Sequence, residues 1–125
     1  MITIKIREES AWGKDGITLL NNIIAKAMKI AYQIDFADIP VKDDTIYVWV
    51  KKFTNKDGAI EYYPKIEIDS NNEELQLDCY PDGSIREYHF KTFNRASGGW
   101  TREDTVKSNA DKMLQRVYDE VLIRV

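Results

Sequence analysis

The sequence predicts an α+β fold: one domain spanning residues 1–125, with elements in the order β-α-β-β-β-β-α, a mostly antiparallel sheet, and two helices packed on one face of it. Three observations carry this. Apolar residues alternate with polar ones in five short segments, which is strand periodicity. They recur at helical spacing in two others, one early and one at the C-terminal end. The last four strand segments are separated only by short runs rich in Asn, Asp, Gly and Pro, so consecutive strands pair as an antiparallel meander. At 125 residues the chain is the length of one domain able to bury roughly two thirds of its unfolded surface.

Taken in order, Ile2, Ile4 and Ile6 alternate with Thr3 and Lys5 and predict a half-buried strand whose place in the sheet the sequence leaves open. The glycines of "SAWGKDG" mark a turn, and Asp15 reads as the cap of the helix that follows. Ile17, Leu20, Ile24, Ala27, Ala31 and Ile34 form its apolar stripe, widened by Leu19, Ile23, Met28 and Ile30. So wide a stripe asks for two apolar neighbours, the sheet and either a second helix or a second copy of the chain; a homo-oligomer is expected. Pro40 holds Ile39 extended in the connector. "TIYVWVKKF" has large apolar groups on both faces and reads as an interior strand. "AIEYYPKIEI" follows the turn "TNKDG", and Pro64 demotes it toward an edge or a bulge. "ELQLDC" and "SIREYHFKTF" flank "YPDGS", the clearest hairpin turn, because Pro81 presets its dihedral and Gly83 tolerates positive φ. A second helix is expected from Thr101, with Val106, Ala110, Met113, Leu114, Val117 and Val121 inward and a capping box of Thr101 and Asp104.

Composition narrows the function. The hydrophobic fraction of 43% is that of a globular chain, and a net charge of −3 lacks the footprint of a general nucleic-acid binder. Cys79 is the single cysteine and shares strand parity with Leu75 and Leu77, so it reads as a buried apolar thiol, and the chain suits a reducing compartment. The charged first residues do not resemble a secretion signal, and Asn21, Asn22, Lys26 and Lys29 interrupt the apolar segment 17–34, so no membrane association is expected and a cytoplasmic location is.

Little in the residues spells out catalysis. The carboxylate pairs Glu8/Glu9, Asp43/Asp44 and Glu73/Glu74 place adjacent residues on opposite strand faces, so no metal site and no cofactor is expected. His89 is the single histidine; set mid-strand between Tyr88 and Phe90, it reads as a hydrogen-bonded structural residue, with a small hydrolase or transferase built around it as the third-ranked function.

Two surfaces stand out. The segment "NRASGGWTRED" at 94–104 holds the parts of an anion cradle: glycines for close approach, arginine forks, an aromatic for stacking, and a helix start immediately after. Asn94, Arg95, Gly98, Gly99, Trp100, Arg102 and His89 are its candidate ligand-binding residues. Against it, Thr101, Glu103 and Asp104 would already cap and neutralise that helix end, and the third glycine or P-loop lysine of known fingerprints is lacking. The second surface is the sheet face of Tyr47, Trp49 and Tyr63, with Lys51, Lys65, Glu61, Glu67, Gln76 and Asp78 in phase. The leading expectation is a non-enzymatic domain that sequesters or senses a small anionic, nucleotide-like ligand at the glycine-rich loop. The alternative is a protein-binding inhibitor or adaptor of the accessory or mobile-element type, using the aromatic face; nucleic acid is the less favoured partner.

Overall fold

The computed structural model describes residues 1–7, 13–94, 99–104 and 111–124, and for residues 13–14, 92–94 and 99–104 the backbone alone. The elements are β1 (Thr3–Ile6), α1 (Gly13–Phe36), β2 (Thr45–Thr54), β3 (Ile60–Asp69), β4 (Glu73–Cys79), β5 (Ile85–Asn94), β6 (Gly99–Asp104) and α2 (Lys112–Glu120). The α+β class, the antiparallel meander and the two helices are as the sequence predicts. The strands lie in chain order in one sheet. β1 occupies an edge, parallel to β2, and every later pairing is antiparallel.

One core lies between the helices and one sheet face. Leu20, Ile23, Ala27, Ile30, Ala31 and Ile34 of α1 meet Ile46, Val48 and Val50 of β2, Ile66 and Ile68 of β3, Leu75 and Leu77 of β4 and Phe90 of β5. The buried α1 positions follow the spacing of a single helical face. Ile17 and Met28, expected in that stripe, are exposed instead, and with Tyr32 and Phe36 they line the outer side. Asp15 lies within the first turn and is not its cap, because the helix begins at Gly13; its charge there still suits the helix dipole.

Pro64 explains itself by register. β3 pairs with β4 only over Lys65–Asp69, so the proline stands where that ladder has ended and its missing N–H leaves no gap in it. The "YPDGS" turn is tied to α1: Asn22 Nδ2 donates to Pro81 O at 2.9 Å, and Asp82 Oδ1 accepts from Ser84 N at 2.8 Å.

The C-terminal region departs from expectation. The segment read as the start of a helix at Thr101 is strand β6, whose Trp100 lies opposite Phe93 and whose Arg102 lies opposite Lys91. β-Branched and aromatic residues here gain ladder bonds along β5, which tertiary context supplies and local propensity cannot weigh. The helix proper starts at Lys112, capped by Asp111, whose carboxylate accepts from Met113 N at 2.7 Å. Leu114, Val117 and Val121 of the expected face are buried, while Val106 and Ala110 lie outside the described residues. Tyr118 of α2 packs edge-on against Tyr88, centroids 5.1 Å apart, and Tyr88 donates to Leu122 O at 3.2 Å.

Gly83 has φ of +90° and a Cβ there would lie 2.8 Å from the carbonyl oxygen of Asn22, whereas Gly58, at φ +79°, faces open space. Gly58→Ala is expected to cost about 1 kcal/mol, the penalty of a left-handed alanine, and Gly83→Ala about 2–3 kcal/mol because the helix-to-turn contact must also give way. Urea denaturation of the two variants measures the difference.

Candidate functional site on the sheet face opposite the helices

The residues alternating with the core residues form a second face, and charge dominates it. One row across the strands reads Lys5, Tyr47, Glu67, Gln76, His89, Asp104; the next reads Trp49, Lys65, Asp78, Glu87. A third carries Asp69, Glu74, Lys91 and Arg102, and Lys51 faces Tyr63 nearer the β2–β3 turn. The central ones are not solvated side chains: Lys65, Glu67, Glu74, Gln76, Asp78 and His89 are all buried. Buried charges persist only when paired and hydrogen-bonded.

Asp78 is the hub of the pairing. Its Oδ1 accepts from Lys65 Nζ at 2.5 Å and from Gln76 Nε2 at 3.1 Å. Its Oδ2 lies 2.8 Å from His89 Nε2, which also lies 3.1 Å from Glu87 Oε2. An ionised carboxylate only accepts, so Nε2 carries the hydrogen. Burial alone would raise the Asp78 carboxyl, but the Lys65 hydrogen bond and charge, with His89, outweigh it and hold the acid below its ordinary range. For Lys65 the balance falls the other way: burial pulls the ammonium down despite Asp78.

A second cluster, Glu67, Asp69 and Glu74, is acidic. Arg7 Nη1 lies 2.9 Å from Glu67 and its Nη2 3.7 Å from Asp69, while the guanidinium carbon sits 3.8 Å over the Tyr47 ring. Lys91 donates to Gln76 and approaches Glu74 at 4.0 Å. Burial first, then the charges of Glu74 and Asp69, push the Glu67 carboxyl up to about 8 against the pull of Arg7. Burial likewise raises Asp69 and Glu74.

Both clusters place three candidate ligand atoms close together. In the first, however, the Asp78 oxygens are engaged by an ammonium and an imidazole, and in the second a guanidinium spans Glu67 and Asp69, so ion pairing accounts for both. The adjacent acids Glu73 and Glu74 diverge, as expected from strand parity, but Glu74 belongs to a cluster that adjacency in sequence does not reveal. Glu74 meets Glu67 and Asp69 across strands. The only signal in the sequence was the shared parity of Glu67, Asp69, Glu74, Gln76 and Asp78, which becomes a cluster once register is known.

The predicted site residues are divided by the fold. Tyr47, Trp49 and Tyr63 do share this face; Tyr47 and Trp49 are half-buried, and Tyr63 is exposed and donates to Glu61. His89 joins the same face, only 2% exposed. Of the anion cradle, Arg95 and Gly98 lie outside the described residues. Asn94, Gly99, Trp100 and Arg102 are strand positions of the β5–β6 ladder, so they do not open a helix as the cradle reading required; α2 starts at Lys112. The chain matches no protein-family model, no curated protein and no solved structure. Among the described residues no helix is long and apolar enough to cross a membrane.

The raised carboxyl of Glu67 has a stability consequence. From its ordinary 4.5 to about 8 the folded state holds a proton that the unfolded chain releases, so stability falls as pH rises through that window. Asp69 and Glu74 act in the same direction; Asp78 acts oppositely, stabilising above the ordinary carboxylate range and losing its effect on acidification. Glu67→Gln is expected to flatten the decline between about pH 5 and pH 8, measured as the shift in thermal midpoint across the two conditions.

Proposed function

We propose that the protein is a non-catalytic binding domain, an inhibitor or adaptor, that engages a protein partner through the sheet face opposite its helices. The observation that carries this reading is the placement of Tyr47, Trp49 and Tyr63 along a face whose buried charged groups are already locked to one another. Tyrosine and tryptophan supply large contact area at small cost in side-chain entropy, and a pre-ordered ionic layer beneath them lowers the ordering cost of association. The small-anion reading has less support, since the glycine pair does not open a helix. Burial of His89 and its bonds to Asp78 and Glu87 favour a structural role for it over acid–base chemistry.

The test is affinity purification from cells that naturally produce the protein, with wild type and a Trp49→Ala/Tyr63→Ala double variant as baits of matched circular dichroism. A partner retained by the wild type is expected to fall about tenfold or more with the double variant; equal retention overturns the reading.

Self-association is the second part of the proposal. Met28, Tyr32 and Phe36, spaced by one helical turn along the outer side of α1, are exposed apolar groups that a second copy would cover. Sedimentation velocity is expected to show a multimer for the wild type and a smaller species for Tyr32→Glu.

A further inference from the structure

β3 is an interior strand over only half its length. It pairs with β2 from Ile60 to Glu67, but with β4 only from Lys65 to Asp69. Among the described residues, 60–64 therefore have a strand neighbour on one side and none on the other, and Pro64 closes the stretch where the β4 ladder begins. Open strand edges are templates for another extended chain. Ile60 and Tyr63 on this stretch, and Phe53 beside it, are exposed.

Two hollows flank the open stretch, one on each face of the sheet. On the helix side a groove of about 510 Å³ runs between β3 and the β4–β5 turn, with Leu19, Tyr62, Cys79, Tyr80 and Pro81 among its walls. On the other side a notch of about 320 Å³ is lined by Lys51, Phe53, Tyr63, Lys65, Asp78 and Arg86. Tyr63 and Arg86 border both. The groove is largely apolar and aromatic. The notch holds three cations against one carboxylate, and that carboxylate is committed to Lys65. Lys51 has no ion pair among the described residues, and Arg86 comes only within 3.8 Å of Asp78 and 3.9 Å of Glu87, beyond direct hydrogen-bond length. Glu61, the other acid nearby, is held by Tyr63 and by Asn55 Nδ2 at 3.3 Å.

We infer that this open stretch of β3, with its two hollows, docks an extended segment of a partner protein in which acidic residues alternate with apolar ones. Successive side chains of an added strand point to opposite sheet faces. Apolar residues enter the helix-side groove, and acidic residues enter the notch against Lys51 and Arg86. The main chain of the segment meets the unpaired backbone groups of β3, which a nucleotide or an isolated anion would leave unused. The inference rests on the protein-partner reading and names the chemistry of the partner.

The test uses a fluorescent peptide of roughly eight residues alternating glutamate with leucine, and a counterpart with lysine at the glutamate positions, titrated with the full chain and followed by anisotropy. The glutamate peptide is expected to bind and the lysine peptide not to. Arg86→Glu and Lys51→Glu are each expected to weaken binding about tenfold, and hydrogen exchange at residues 60–63 is expected to slow in the complex. Lys51 is exposed, so its variant carries the test should Arg86→Glu not fold. Equal binding of both peptides, affinity unmoved in a folded charge-reversal variant, or protection at a different strand edge overturns the inference. If the glutamate peptide fails while the wild type still captures a partner that the Trp49→Ala/Tyr63→Ala variant loses, the edge site is wrong and the binding-domain reading stands.

Discussion

The pairing of Lys65, Gln76 and His89 with Asp78 is the constraint on which the second face of this sheet depends. Three strands contribute to it: Lys65 from β3, Gln76 and Asp78 from β4, His89 from β5. Each of these groups is buried, and each would be costly there alone. A register slip of one residue in β4 would turn Asp78 toward the core, leave Lys65 without its counter-charge, and bring Leu75 and Leu77 out of the core they fill. The β4–β5 register shifts between Asp78 and Cys79, so the ladder is irregular at the hub itself. The extra residue is Arg86 of β5, between Ile85 opposite Cys79 and Glu87 opposite Asp78. Bulges bend a strand and re-aim its side chains, and here the Arg86 guanidinium comes within 3.8 Å of Asp78.

The same pairing divides the face into two zones. From Glu67 to Lys91 the buried polar groups are paired with one another across the strands, which restrains the middle of the sheet. Toward the β2–β3 turn the network runs out: Lys51, Phe53 and Tyr63 are exposed on a stretch where, among the described residues, β3 pairs with β2 alone. Buried and satisfied polar groups hold shape, while exposed aromatic and cationic groups beside them are available to bind. On the core face, burial of Cys79 pushes its thiol up to about 12 and keeps that sulfur a packing group.

Much of this was legible before folding was considered. Alternation in "ELQLDC" assigned its core face, "TIYVWV" showed apolar groups on both faces, and the parity that grouped Tyr47, Trp49 and Tyr63 with Lys65, Glu67, Gln76 and Asp78 survives in the folded sheet. The "YPDGS" hairpin was legible because turn chemistry is local. The error at Thr101 has the opposite origin. Thr, Glu and Asp suit a helix start as well as an exposed strand, and only the free edge of β5 decides between them. The acidic cluster at Glu74 went unread for a related reason: its sequence neighbour points away, as expected, while its partners lie on another strand.

What the sequence by itself determined is what chain periodicity and local dihedral preference set: the α+β class, five of the strands, the grouping of side chains by strand parity, the glycine turn at Gly83 and the apolar setting of Cys79. What only the tertiary structure decided is register and reach. It brought His89 of β5 within 2.8 Å of Asp78, joined Arg7 to Glu67 across 60 residues of chain, added β6 to a strand edge, and left half of β3 open. Those outcomes depend on which strand ends where beside its neighbour, a relation between distant segments that no local pattern of residue types encodes.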